Sequence, residues 1–236
     1  MSLTDLTSLN DSDDAGSVRA LSAVASAAAV HPASVCIWPQ WVPTALEALR
    51  GSSIPVCAVS NFPGGAAAPE LAAAETAAVV AAGATEVDVV FPYRAFLSGD
   101  SQVGLNLVRA CREACGERTL LKVILETGQL ESADNIRRAA EIAIEGGADF
   151  LKTSTGKTQP AATPQAATVL IEVIAAARPH RSIGFKASGG IRSIDDALVY
   201  LTLYERAFGP GSASARNFRI GASGLFKELM AAAGEN

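Results

Sequence analysis

Short apolar runs alternate with longer amphipathic, alanine-rich segments along almost the whole chain. The short runs are rich in Val, Ile, Leu and Phe and are bounded by Gly, Pro, Ser or Asn, a pattern that predicts strands. Eight can be placed, over 3–6 (the weakest), 34–38, 55–60, 86–90, 120–125, 148–151, 182–186 and 218–220. Between them, apolar positions recur at helical spacing. One helix is predicted from Ser12-Asp13-Asp14, a capping hydroxyl followed by acids, to about Val30. Others run from Val42 to Leu49, from Pro69 at the first helical position to Ala82, and from Ser101 to Cys115. Ser132 and Thr163-Pro164 open two more, Ser193 and Asp196 have capping-box spacing, and Ser223 begins the last.

Eight strand–helix pairs with short connections predict a parallel sheet with right-handed crossovers. Closure into an α/β fold of the (β/α)8 TIM-barrel type, one domain over residues 1–236, is the simplest arrangement. A doubly wound open sheet is the alternative. Against it, the first strand is not followed by a Gly-x-Gly-x-x-Gly turn, and polar residues recur at nearly every strand end.

Composition narrows the function. The net charge of −5 offers no basic stripe for nucleic acid, although a local basic pocket for phosphate is compatible with it. With no apolar run long enough for a membrane span and no signal-like N-terminus, a cytoplasmic protein is expected. Cys36, Cys57, Cys111 and Cys115 show no disulfide spacing and are read as buried free thiols.

In a barrel the reactive groups gather at the carboxyl ends of strands. Those positions here hold Asp5 and Thr7, Cys36, Asn61, Asp88, Glu126, Lys152, Lys186 and the turn Gly221-Ala-Ser-Gly224. His31 and His180 precede strands two and seven, at the opposite face, so no histidine metal site is expected and no metal or other cofactor is called for. Two lysines at the ends of adjoining strands need an explanation, because an ammonium loses hydration there. One explanation is chemical: burial or a nearby second cation frees an amine's lone pair, and a free amine forms a Schiff base with a carbonyl. Asp88 would then move protons. The other is that each lysine is paired with an acid as scaffolding of the barrel mouth. Lys122 lies mid-strand in Leu121-Lys-Val-Ile-Leu-Glu126, facing inward with Glu126, either in the charge network under the site or as a buried ion pair without a chemical role. Cys36 could meet an aldehyde, though a packed thiol is the better reading.

A second cluster suits phosphate. Gly156-Lys157, Gly189-Gly190-Ile-Arg192 and Gly221-Ala-Ser-Gly224 each offer backbone N–H groups, and two of them add a cation. Loops after the late strands of barrels frequently hold phosphate. On the residues alone, a Schiff-base aldolase, another sugar-phosphate barrel enzyme and a catalytically silent sugar-phosphate binder remain open.

Four segments then stand out together. Glu86-Val-Asp-Val-Val-Phe-Pro-Tyr93, Leu121-Lys-Val-Ile-Leu-Glu-Thr-Gly128, Ala148-Asp-Phe-Leu-Lys-Thr-Ser-Thr-Gly-Lys157 and Gly184-Phe-Lys-Ala-Ser-Gly-Gly-Ile-Arg192 closely resemble the deoxyribose-phosphate aldolase family. The likeness extends from Leu3-Thr-Asp-Leu-Thr7 to Arg219-Ile-Gly-Ala-Ser223. It implies a metal-free class I aldolase that reversibly splits 2-deoxy-D-ribose 5-phosphate into acetaldehyde and D-glyceraldehyde 3-phosphate. By motif, Lys152 resembles the Schiff-base lysine, Lys186 the lysine whose charge tunes it, and Asp88 the aspartate of the proton relay. Lys157, Gly189, Gly190, Arg192, Gly221 and Ser223 fall where that family binds phosphate, and Asp5, Thr7, Thr155, Gly156 and Gly224 complete the expected substrate-binding set. The expected partners are small sugar phosphates and aldehydes, not nucleic acid or a membrane, with a homodimer or homotetramer left open. Two departures accompany the resemblance. Gly224 stands where some members have a second serine, and the chain stops at Gly234-Glu-Asn236, short of the tail with a terminal tyrosine that some members carry.

Overall fold

Strands and helices alternate throughout the computed structural model, which describes residues 1–178 and 181–234. The strands are β1 (Thr4–Thr7), β2 (Ser34–Ile37), β3 (Val56–Ser60), β4 (Glu86–Val90), β5 (Leu120–Ile124), β6 (Phe150–Lys152), β7 (Gly184–Ser188) and β8 (Phe218–Ala222). Each pairs in parallel with the next and β8 returns to β1, closing a single-domain (β/α)8 TIM barrel. Around it run α1 (Ala15–Ala27), α2 (Val42–Ala48), α3 (Pro69–Ala81), α4 (Tyr93–Leu97), α5 (Ser101–Cys115), α6 (Ala133–Glu145), α7 (Pro164–Ala177), α8 (Ile194–Phe208) and α9 (Leu225–Ala232). The open-sheet alternative is therefore excluded. Among the described residues no helix is long and apolar enough to cross a membrane.

Strand residues alternate between two different environments. Val35, Ile37, Val87, Val89, Leu121, Val123, Leu151, Phe185 and Ile220 belong to the apolar core shared with the helices. Their neighbours, displaced by one residue, point into the barrel and include Asp5, Asp88, Lys122, Lys186 and Arg219, all buried. Both faces being covered, β2, β3, β4, β7 and β8 are buried at every position. That is why the strands read as continuous apolar runs interrupted by isolated charges.

Helix ends mostly follow local chemistry. Ser132 and Thr163 cap α6 and α7, Ser193 and Asp196 form a reciprocal box at α8, and Pro69 opens α3. At α1 the cap is Asp14, with Ser17 as its partner, rather than Ser12. Asp13 is drawn away because its carboxylate accepts hydrogen bonds from Ser8 and Asn10 in the preceding loop. The connection after β4 contains α4, which the sequence pattern did not predict. It is short, and Phe96 within it packs edge-on against Phe91 at 5.7 Å. Strands also shift: β1 runs one residue further, β6 begins at Phe150, and β7 and β8 continue to Ser188 and Ala222. Lys186 is therefore inside its strand, not at the end. The last helix starts at Leu225, not Ser223, and His180 lies outside the described residues.

One close approach fixes the barrel interior beneath the charged residues. The buried Phe150 ring lies against Gly184, where a Cβ would stand 2.3 Å from a ring carbon. Gly184→Ala is expected to cost about 1–3 kcal/mol through overpacking. Gly64→Ala, which meets open space, should stay within about 0.5 kcal/mol. Urea unfolding of the two variants checks this, and equal midpoints would contradict it.

Candidate active site

Among the described residues the barrel encloses a network of seven buried charged side chains. Asp88 of β4 is at its centre. Its Oδ2 accepts hydrogen bonds from Lys152 Nζ and Lys186 Nζ, each at 2.7 Å, and its Oδ1 accepts from Lys122 Nζ at 2.8 Å. Lys186 also meets Asp5 at 2.5 Å, and Lys122 meets Glu86 at 2.7 Å. Arg219 of β8 joins the two outer acids, reaching Asp5 at 2.5 Å and Glu86 at 3.0 Å. Register sets the neighbours, Lys152 beside Lys186, Lys186 beside Arg219 and Asp88 beside Lys122, and closure of the barrel brings the acids of β1 and β4 to the lysines of β6 and β7.

Four cations thus face three carboxylates, Asp5, Glu86 and Asp88. Burial alone would push the carboxyls of Asp88 and Asp5 upward, but the surrounding cations outweigh it and hold both well below the usual carboxylate range. Burial would likewise depress Lys186 and Lys122, yet Asp5 and Asp88 around the first and chiefly Asp88 around the second raise both above the ordinary lysine value. Arg219 is raised too, by Asp5 and Glu86 against its burial. Lys122, Lys186 and Arg219 each contact two carboxylates closely. Among the described residues Lys152 pairs with one carboxylate, Asp88, through an oxygen it shares with Lys186. It is the least compensated of the four cations.

It is also the one that reaches the open cavity. A pocket of about 490 Å³ opens above the carboxyl ends of the strands, with Lys152 in its wall. Lys157 and Arg192 add two further cations, and no carboxylate lines it among the described residues. Most of the remaining wall is small or hydroxylated, including Thr7, Thr155, Ser188 and Ser223, with Leu9, Asn10 and Ile191 completing it. Gly189 and Gly190 both have left-handed backbone, φ 87° and 83°. Gly189 has a packing reason as well, since a Cβ there would approach Ala161 Cβ to 2.8 Å and Gly156 Cα to 3.0 Å. Gly221 leaves room for the Lys186 side chain, whose Cε would lie 3.0 Å from a Cβ at that position.

Of the sequence-predicted residues, Lys152, Thr7, Thr155, Gly156, Lys157, Gly189, Gly190, Arg192, Gly221, Ser223 and Gly224 share this wall. Asp5, Asp88 and Lys186 lie beneath it in the network. Lys157 Nζ donates to the Leu9 carbonyl at 2.7 Å, and Ser223 Oγ to the Thr7 carbonyl at 2.8 Å. Asn61 and Glu126 serve the loops. Asn61 bonds Ala66 and Val90, and Glu126 accepts from Thr155 Oγ1 and N. Sequence reasoning gave no role to Glu86, Arg219 or Ser188. Glu86 was legible, because period two places it on the face of Asp88. Arg219 carried the same signal as Lys122, a lone charge inside a buried strand.

Cys36, Cys57 and Asp88 bring three candidate ligand atoms within 4.8 Å of one another. They fit a metal poorly. Asp88 is already engaged by three ammonium groups, and a divalent ion would be repelled by the same lysines.

Because Asp5 and Asp88 titrate lower in the folded protein than in the unfolded chain, unfolding takes up protons in acid. Their stabilising contribution is complete above the unfolded carboxyl pKa of about 3.9 and is lost as pH falls from there toward the folded values. The urea midpoint should fall steeply below about pH 4, and Asp88→Asn, less stable at neutral pH, should show a shallower fall. An unchanged slope would count against the network.

Comparison with known proteins places the fold and cavity in context. The sequence profile described as DeoC/LacD family aldolase matches residues 1–218. A structure from Toxoplasma gondii ME49 with a provisional deoxyribose-phosphate aldolase assignment superposes with a TM-score of 0.87 at 28% identity, covering 98% of this chain and 92% of that one. One from Coccidioides immitis with the same provisional assignment gives 0.82 at 28%, covering 96% and 84%. The deoxyribose phosphate aldolase of Aeropyrum pernix, described as a unique tetramer, gives 0.77 at 26%, covering 98% and 91%. With a family profile matching nearly its whole length, this chain belongs to the DeoC/LacD family of aldolases.

Proposed function

We propose that this aldolase cleaves 2-deoxy-D-ribose 5-phosphate reversibly to acetaldehyde and D-glyceraldehyde 3-phosphate through a Schiff base on Lys152. The observation that carries the reading is the position of Lys152, a nearly buried amine in the wall of an anion-favouring cavity, paired to one carboxylate oxygen that it shares with Lys186. Beneath it, four cations face three acids, so release of one proton from the network removes its excess positive charge.

In the proposed sequence, the Lys152 nitrogen adds to the sugar aldehyde and water leaves, giving an iminium. The iminium draws electrons from the neighbouring bond as the sugar's 3-hydroxyl loses its proton, so that bond breaks and glyceraldehyde 3-phosphate departs. The remaining enamine takes a proton on carbon, and hydrolysis releases acetaldehyde and the free amine. Asp88, 2.7 Å from Lys152, is the protein group suited to pass protons near this nitrogen, directly or through water. Lys186, held charged by Asp5 and Asp88, keeps a positive neighbour beside the reacting amine.

Lys157, Arg192 and the Gly189-Gly190 turn support phosphate binding at the far end. Gly189 and Gly190 line the cavity with no side chain to cover their backbone N–H groups. Lys157 would exchange the Leu9 carbonyl for a phosphate oxygen.

Acetaldehyde and borohydride should leave one reduced adduct on Lys152, absent in Lys152→Ala; peptide mapping that located it on Lys186 would reverse the assignment. Arg192→Ala and Lys157→Ala are each expected to raise KM for the phosphorylated sugar by about tenfold or more while changing KM for free deoxyribose little. Equal effects on both sugars would remove the phosphate assignment.

A further inference from the structure

The barrel interior also holds two thiols for which the proposed reaction has no use. Cys36 of β2 and Cys57 of β3 are register partners on adjacent parallel strands. Their side chains therefore leave the sheet on the same face, from backbones about 4.8 Å apart. That separation lies within the Cα–Cα range of about 4.4–6.8 Å that disulfides bridge. Both residues are reduced and fully buried, and their sulfurs lie within 4.8 Å of each other.

The two thiols differ in character. The neighbouring Cys57, with Lys186 and Lys152, holds the Cys36 thiol below its ordinary pKa against burial and Asp88. Burial, together with Cys36 and Asp88, pushes Cys57 far up. Cys57 keeps its proton in a hydrogen bond to the Asp88 carboxylate, which leaves Cys36 as the attacking sulfur and Cys57 beside it as the resolving thiol. Cys57 is also tied to the proposed active site: its Sγ donates to Asp88 Oδ1 at 3.2 Å and accepts from Lys122 Nζ at 3.2 Å.

We propose that Cys36 and Cys57 are an oxidisable dithiol that hydrogen peroxide closes into a disulfide, and that the closed form is inactive. The Cys36 thiolate attacks the peroxide O–O bond, becoming a sulfenic acid and releasing hydroxide. The Cys57 sulfur displaces the sulfenic oxygen as water, and the hydroxide takes the remaining thiol proton. Two thiols and one peroxide thus give one disulfide and two waters, with two electrons passing from sulfur to oxygen. Peroxide is small and neutral, and Asp88 contacts both Cys57 and the cavity-wall Lys152, so the thiols lie about one residue below the cavity. In the disulfide Cys57 has no proton to donate. Asp88 loses a hydrogen bond, and the sulfur moves toward Cys36, away from Lys122.

The test uses the full chain, reduced and then exposed to graded hydrogen peroxide, quenched with catalase and N-ethylmaleimide, and mapped by mass spectrometry without reduction. A loss of about 2 Da should map to a Cys36–Cys57 link, with activity at least about tenfold lower, as for one lost hydrogen bond to a charged carboxylate. Dithiothreitol should restore both. Cys57→Ala should give neither the link nor a dithiothreitol-recoverable loss. The proposal is overturned by a link between Cys111 and Cys115 instead, by oxygen addition to Cys36 without a link, or by no link at a dose that oxidises free glutathione. A linked protein with undiminished borohydride trapping would also overturn it while leaving the aldolase reading intact. A reduced protein that never traps aldehyde on Lys152 would fail that reading alone.

Discussion

Asp88 is the point on which the interior of this barrel turns. Barrel cores are commonly filled by branched aliphatic side chains. Here the inward positions of β1, β4, β5, β6, β7 and β8 hold charged groups, and one carboxylate accepts hydrogen bonds from three lysines. Such an arrangement is tolerable only if no charge is left alone, because an unpaired buried ion is far costlier than an unpaired buried hydroxyl. Asp5 and Glu86 are therefore as necessary as Asp88, and Arg219, on β8 beside β1 and across the barrel from β4, links those two acids. The network still contains one more cation than anion, and the cation with a single carboxylate contact stands in the cavity wall.

Above this layer the chemistry changes from a closed ion network to cations and hydroxyls, with Lys157 and Ser223 held by backbone carbonyls. The loops after β6, β7 and β8 contribute cations, hydroxyls and glycine N–H groups to a wall that has no carboxylate among the described residues. The network below and the loops above depend on each other sterically. Gly221, in the wall, makes space for Lys186 beneath, and Gly189 lets the loop after β7 approach Gly156 after β6. A cavity with cations at one end and an amine at the other suits a phosphorylated carbonyl compound, the class of substrate in the proposed reaction.

The proposed thiol pair follows from the same register. In a parallel sheet, in-register residues on neighbouring strands have their side chains side by side. That relation brings Lys152 to Lys186 on one side of the barrel and Cys36 to Cys57 on the other. Asp88 touches both pairs, so a change in the thiols is felt at the carboxylate that holds the proposed reactive amine.

Much of this was written along the chain. Strand–helix alternation, caps at Ser132, Thr163 and Ser193, and the glycine–cation loops depend on neighbours a few residues apart, so periodicity and local hydrogen bonding were enough to read them. Lys122 was legible as an inward lysine because alternation in a strand is strict. Strand ends were less so: whether β7 stops at Lys186 or at Ser188 depends on ladder partners in β6 and β8, which local pattern does not contain. The pairing of charges was decided only by closure. Asp5 and Lys186 are distant in sequence, and barrel curvature rather than spacing brings them to 2.5 Å. The sequence determined which chemical groups face inward; the tertiary structure decided which of them share a proton-bearing contact, because that depends on register across strands that meet only when the sheet closes.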